Sequence, residues 1–286
     1  MKSLFIYLLC FSISFTCAAS PLGAEKANSI EFAILIASYN NEKYVIENLQ
    51  SACFQKSTNP YHVYYVNDCS TDRTAEMVES FIREHQLESL VTVIHNTKNV
   101  GPLENYYNTI HNFIPNHKVV VNLDGDDFLA HDNVLLTLEK YYANPNLWMT
   151  YGSALEYPSM KNIWWIKAIP DDVIRQRKFR KFGFVTHHLR TFKAGLFKKI
   201  KKEDLMYKGS FIRFSGDLAF MMPMLELCAP YPGIEINHSQ SIPEILYYWR
   251  VDNPINDFRA HRNEQNEIQD LIEFRPIYDQ LRTLED

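Results

Sequence analysis

The stretch Lys118-Val119-Val120-Val121-Asn122-Leu123-Asp124-Gly125-Asp126-Asp127 runs from an apolar segment straight into a cluster of acids. A short run of β-branched residues ended by a glycine fits a strand buried on both faces of a parallel sheet. Three carboxylates at the exit of that strand repel one another and cost stability unless something neutralises them. A hard divalent cation, Mn²⁺ or Mg²⁺, takes oxygen ligands and shares them with a substrate phosphate. Ligands of α/β sheets bind outside the carboxyl ends of the strands, where this cluster would lie. A calcium loop fits poorly, because the glycine stands second rather than sixth and Leu135 occupies the twelfth position. The tetrapeptide therefore points to an enzyme acting on a metal-bound phosphate ester.

Working outward, strand and helix patterns alternate. Glu31 to Ser38 is almost continuously apolar, and residues 42–55 follow at helical spacing with Val45, Leu49, Ala52 and Cys53 on one face. Tyr61 to Asn67 reads as a strand, and Asp72 can cap a helix to about His85. Val91 to His95 is a third strand, and Pro102 suits the first turn of a helix ending at Phe113. After the acidic cluster, Asp132 can cap a helix over 133–142, and 148–156 reads as a fifth strand. Four strand–helix alternations imply a mostly parallel sheet flanked by helices, with right-handed crossovers.

Beyond Tyr157 the periodicity fails, and 157–190 carries no clear element, as segments with binding roles often do. Pattern returns as a helix at 217–227, a strand at 242–249 and a terminal helix at about 263–284. No Pro/Gly/Ser linker separates the halves, so a single domain is expected, divided into a regularly patterned half (30–156), a less patterned half (157–257) and a C-terminal helix (258–286).

With 46% hydrophobic residues in 286 and a formal charge of −5, the chain is globular and unsuited to general nucleic-acid binding. The basic residues cluster, however: 161–202 holds 13 Lys plus Arg against 2 acids. Such a run is either a solvated face or a surface for an anionic acceptor or a lipid headgroup, giving peripheral membrane contact. Residues 1–19 combine one early lysine, a short apolar core and small residues, the pattern of a signal peptide or uncleaved signal anchor that leads to export or a secretory route. Outside that leader only Cys53, Cys69 and Cys228 remain, too few for a disulfide framework. His187 and His188 read as ordinary polar contacts or as lining of an acceptor pocket.

Three segments in order, Ile34-Leu35-Ile36-Ala37-Ser38-Tyr39-Asn40, Val66-Asn67-Asp68-Cys69-Ser70-Thr71-Asp72 and Leu123-Asp124-Gly125-Asp126-Asp127, resemble the family-2 inverting glycosyltransferases of the GT-A fold. The resemblance implies a nucleotide-sugar donor, commonly a UDP-sugar, and transfer to a hydroxyl of a carbohydrate, lipid-linked or protein acceptor. By the family pattern Ala37 and Tyr39 flank the base, Asp68 accepts a hydrogen bond from it, and Asp124 and Asp126 form the DxD element, Asp124 on the donor near the ribose and Asp126 on the metal. Asp127 shares the metal with Asp126, in an order the sequence leaves open. The base that takes the acceptor proton falls on Asp217, in Phe214-Ser215-Gly216-Asp217-Leu218.

The chain departs from the pattern in three places. Asn67 and Cys69 replace the usual Asp and Gly of the second segment. Where the family often has an Arg after Asn99-Val100-Gly101, Tyr106 and Tyr107 stand, and Lys98 is the available substitute for holding the diphosphate. Asp252, in Tyr247-Tyr248-Trp249-Arg250-Val251-Asp252, replaces a His that sometimes completes metal binding, and is itself a competent ligand. These departures keep two rivals open: a sugar- or nucleotide-binding module without catalysis, and a metal-dependent nucleotidyltransferase.

Overall fold

The computed structural model describes residues 30–254 and 262–285. The leader expected at 1–19 lies outside the described residues. Eight strands form one sheet in the order β3 (Val91–His95), β2 (Tyr61–Asn67), β1 (Phe32–Ser38), β4 (Val119–Asp124), β7 (Arg190–Lys193), β6 (Met149–Tyr157), β10 (Ser239–Arg250), β5 (Phe128–Leu129). Its first half comprises β1 (Phe32–Ser38), β2 (Tyr61–Asn67), β3 (Val91–His95) and β4 (Val119–Asp124), all parallel. Helices α1 (Val45–Cys53), α2 (Thr74–Glu84) and α3 (Pro102–Phe113) connect them. The elements predicted for this half appear within a few residues of their expected ends.

The strands are apolar on both faces because both faces are covered. Along β1, Ala33 and Leu35 join one buried cluster while Phe32, Ile34 and Ile36 join the other. Since β2 and β4 flank β1, successive connections leave in opposite directions at the β1/β4 boundary. A crevice opens there, outside the strand ends.

The second half adds to the same sheet. After β5 (Phe128–Leu129) and α4 (Val134–Tyr142), strand β6 (Met149–Tyr157) does not pair with β4. The short β7 (Arg190–Lys193) lies between them, antiparallel to both. Strand β10 (Ser239–Arg250) pairs with β6 over a register irregularity between Ile242 and Ile245, around Pro243, which has no N–H to give the ladder. Two-residue strands β8 (Met206–Tyr207) and β9 (Ser210–Phe211) form a separate ribbon.

Within 157–190 the chain forms only α5 (Asp171–Arg175) and α6 (Phe179–Phe182), too short for a visible period. Helix α7 (Ala194–Phe197) follows β7, and α8 (Gly216–Cys228) is buried from Leu218 onward. An all-round apolar helix of this kind needs neighbours on every side. It gets them from the sheet, from α6 and from the C-terminal segment.

Two expectations are corrected here. Asp132 does not cap α4; it pairs with Lys56 at 2.7 Å, and Asn133 stands at the helix start without a side-chain cap. The terminal helix α9 (Arg262–Phe274) ends ten residues early, because Pro276 cannot continue it. The segment that follows lies across α8 as a strap, with Leu281 N–H bonded to the Leu227 carbonyl at 3.1 Å.

The strap also engages part of the basic stretch. Arg180, 7% exposed, makes a forked pair with the fully buried Glu226 at 2.5 and 2.9 Å. It donates as well to the carbonyls of Ile272 and Arg275 at 2.6 Å. Arg177 donates to the Tyr278 carbonyl, while Arg190 is buried elsewhere. Three of the thirteen basic residues of 161–202, Arg177, Arg180 and Arg190, are thus engaged inside the fold, while Lys161, Lys167, Arg175, Lys178, Lys181, Lys201 and Lys202 stay exposed. Breaking a buried pair by removing one partner leaves an uncompensated charge, so Glu226→Leu is expected to cost about 3–5 kcal/mol in urea unfolding. A loss below about 1 kcal/mol would show that the strap is dispensable.

Candidate active site

Parallel pairing places the three motif ends side by side. In register, Ala37 faces Asp124 across β1 and β4, and Ser38 faces Asn67 across β1 and β2. Gly125 lets the acidic loop turn directly over β1, since a Cβ there would meet Ser38 Cα at 2.8 Å. Gly101, at φ +89°, similarly turns the chain into α3.

Together these ends enclose a cavity of about 430 Å³. Ala37, Tyr39, Asp68, Asp124, Asp126 and Asp127 all line it. Tyr39 is 39% exposed, so it is no core aromatic. Asp68 is buried, and its oxygens already accept from Asn96 Nδ2 (2.7 Å), Val100 N–H (3.0 Å) and Gly101 N–H (2.8 Å). It fixes the 99–101 turn at the cavity wall.

Lys98 is exposed and is not among the lining residues. The cation on the wall is Arg213, from the loop before α8, which donates to Asn99 Oδ1 and packs over Gly101. No local pattern around Arg213 marked it, because only the return of the chain to α8 brings it to the strand ends.

The three carboxylates are held differently. Asp124 Oδ1 accepts from the Tyr106 hydroxyl at 2.8 Å, and its Oδ2 lies 3.3 Å from His188 Nε2. Tyr106 thus occupies the place where the family often has an Arg, as a neutral donor. Asp126 Oδ2 accepts from Asn253 Nδ2 at 2.7 Å. Asp127, 2% exposed, accepts from Tyr247 Oη (2.7 Å) and from Arg250 N–H (2.6 Å). Arg250 further bonds the Asp126 carbonyl and pairs with Glu47. The loop is thereby clamped by the end of β10.

Asp252, expected on the metal, is half-exposed and 3.7 Å from Arg250 Nη1. Among the described residues, the groups whose donor atoms lie within 4.8 Å of one another are Asp124, Asp127 and His188. Neither Asp126 nor Asp252 belongs to that set. His188 comes from the segment with least pattern, and its only sequence signal was the histidine pair.

The electrostatics follow from crowding and burial. Burial, then the charge of Asp124, pushes the Asp126 carboxyl up to about 6. Burial, then Asp126 and Asp124, pushes Asp127 well above the usual range. Asp124 goes the other way: burial opposes ionisation, but His188, Arg190 and the Tyr106 hydroxyl outweigh it and lower its pKa. His188 is lowered by burial and then by Arg190, against the pull of Asp124 and Asp217. Two carboxyl groups and an imidazole, which a bound cation would hold deprotonated, form a donor set that suits Mn²⁺ well and Mg²⁺ through its oxygens.

A raised carboxyl pKa in the fold means that stability is present below the ordinary value of 3.8 and is lost as pH rises through about 6. Metal-free protein is therefore expected to lose melting temperature between those pH values, and Mn²⁺ to restore it at pH 7. Thermal scans with and without the ion check this.

Asp217 opens α8 and is part of the same polar chain. Its Oδ2 accepts from Arg190 Nη2 at 2.6 Å, and Arg190 Nη1 lies 3.1 Å from His188 Nε2. The path Asp124–His188–Arg190–Asp217 therefore joins the acidic loop to the residue expected as the base.

A mostly parallel sheet with a carboxylate-rimmed crevice outside its strand ends defines a GT-A type fold. The glycosyl transferase family 2 model matches residues 33–201, and the chain belongs to that family. A 53-residue segment is 38% identical to the poly(ribitol-phosphate) β-N-acetylglucosaminyltransferase TarS of Staphylococcus aureus, covering 18% of this chain and 9% of that protein. The structure of a TarS fragment in complex with UDP-GlcNAc superposes with a TM-score of 0.59 at 19% identity, over 85% of this chain and 65% of the other. The mannosyltransferase PcManGT from Pyrobaculum calidifontis, in complex with GDP-Man and Mn²⁺, superposes with a TM-score of 0.58 at 17% identity, over 86% and 65%. The chain thus spans less than two thirds of the length of each of these relatives.

Proposed function

We propose that the protein transfers a hexosyl or N-acetylhexosaminyl group from a UDP-sugar to an acceptor hydroxyl, with inversion and with a divalent metal. The observation that carries this reading is the convergence of three strand-end motifs on one acid-lined cavity, connected through His188 and Arg190 to Asp217. The UDP-GlcNAc and GDP-Man complexes of the structural neighbours support a nucleotide-sugar donor.

In this reading Ala37 and Tyr39 hold the base, and Asp68 shapes the wall beside it. Asp124, Asp127 and His188, with Asp126 alongside, would hold Mn²⁺ or Mg²⁺, which neutralises charge on the diphosphate. Asp217 takes the acceptor proton on a carboxylate oxygen, each of which keeps a second lone pair beyond its bond to Arg190 or Leu218 N–H. The freed oxygen forms its bond to the anomeric carbon from the face opposite the diphosphate, and the bond to the diphosphate breaks. Arg213 meets the charge left on that group.

Arg213→Ala is accordingly expected to raise the donor KM about tenfold or more, the weight of one charge-assisted hydrogen bond. An unchanged KM would remove Arg213 from the site. The reading as a whole is tested by incubating UDP-GlcNAc and related donors with Mn²⁺ and following the nucleotide product. Release of UDP supports it. Release of pyrophosphate would select nucleotidyl transfer, and tight donor binding without turnover a binding module.

A further inference from the structure

We infer that Trp164 and Trp165 form a stacking platform for the sugar rings of a carbohydrate acceptor, at the outer rim of the donor cavity. This rests on the reading above for its direction, since it places the acceptor beside the transferred group. Trp249 at the end of β10 lines the cavity. Its ring is 6.0 Å from that of Trp165, which in turn lies 5.6 Å from Trp164, and both pairs meet edge to face. His187 closes the group, at 5.3 Å from Trp249 and 6.1 Å from Trp165. An unbroken row of aromatic rings therefore leads from the cavity to open surface.

Exposure increases along that row. Trp165 is half-buried, but Trp164 is 86% exposed, so most of a large apolar ring faces water. A pyranose ring has an apolar C–H face and a rim of hydroxyls. It covers an indole face while its hydroxyls stay solvated, which is the match an exposed amphipathic aromatic offers. Two ring-to-ring steps also make the row longer than one sugar, so an oligosaccharide is favoured over a monosaccharide.

A lipid surface is the competing partner for an exposed Trp near lysines, but a bilayer contact gives no reason for the row to continue inward to Trp249. The buried Nδ1 of His187 has no hydrogen-bond partner among the described residues, a further polar atom left uncommitted within the row.

The test uses the full chain and a panel of neutral cello-, chito- and manno-oligosaccharides, with binding read by calorimetry in the presence of UDP and Mn²⁺. The expected result is that at least one series binds, that affinity rises with chain length, and that Trp164→Ala weakens it about tenfold. Trp164→Phe, which keeps a ring, should retain part of the affinity. The shift in melting temperature caused by UDP with Mn²⁺ should be the same in all three proteins. If no series binds wild type, or if Trp164→Ala binds as wild type does, the inference is overturned. It is also overturned if anionic phospholipid vesicles, and not oligosaccharides, lose binding on substitution. Absence of any UDP response in wild type would instead sink the donor reading, leaving the oligosaccharide result to stand or fall by itself.

Discussion

Asp217→Asn is expected to lower transfer by about 10²–10⁴-fold, the weight of a positioned general base, with little change in nucleotide affinity. The carboxylate is 31% exposed on its side chain and is fixed by Arg190 at 2.6 Å. An amide keeps the size and the contact to Leu218 N–H but cannot accept the acceptor proton. It also presents a poor partner to Arg190, so the guanidinium stays behind as a cation next to the reacting hydroxyl. Separate kinetic constants discriminate between roles: a base lowers kcat, whereas a side chain that only supports α8 would lower the melting temperature and leave kcat per folded molecule unchanged. Full activity in Asp217→Asn would require another base.

Replacing Asp124 with Asn is expected to have the second large effect, a loss of about 10²–10³-fold in turnover of the kind seen when one charge-stabilising group is removed. Asp124 is the member of the cluster whose ionised form the surroundings favour, through His188, Arg190 and Tyr106. Asp127 is instead committed to Tyr247 and to the Arg250 N–H, so its replacement mixes lost function with lost structure. Leaving those two buried donors unsatisfied would cost about 1–3 kcal/mol each. Asp124→Asn is thus the cleaner variant, and Mn²⁺ titration of its activity is the measurement. A wild-type response to Mn²⁺ would remove the carboxylate from metal binding.

The first half of the fold was legible because its signals are local. Each strand is an apolar run, each motif is a strand end, and parallel pairing brings ends together without further information. Tyr39, Asp68 and the acidic loop therefore stood out before any tertiary contact was known. The second half depends on long-range pairing. Strand β7 has four residues, yet it separates β4 from β6 and carries Arg190 to the site.

The same cause hid His188, Arg213 and Asn253, which come from irregular segments and become neighbours only when β7, α8 and β10 are in place. Charge was misleading for a related reason. Arg180 looks solvated in sequence, but Glu226, 46 positions away, draws it into the interior. Asp252 resembled a ligand by its position in a motif, whereas the adjacent Asn253 is the side chain that reaches Asp126.

The most direct measurement is a crystal of the protein soaked in UDP and Mn²⁺, with anomalous scattering used to locate the ion. The expected result is a manganese peak bridging the diphosphate and the carboxylates of the 124–127 loop, with the uracil beside Tyr39. A nucleotide bound elsewhere, or a manganese-free crevice whose acids face bulk water, would contradict the account.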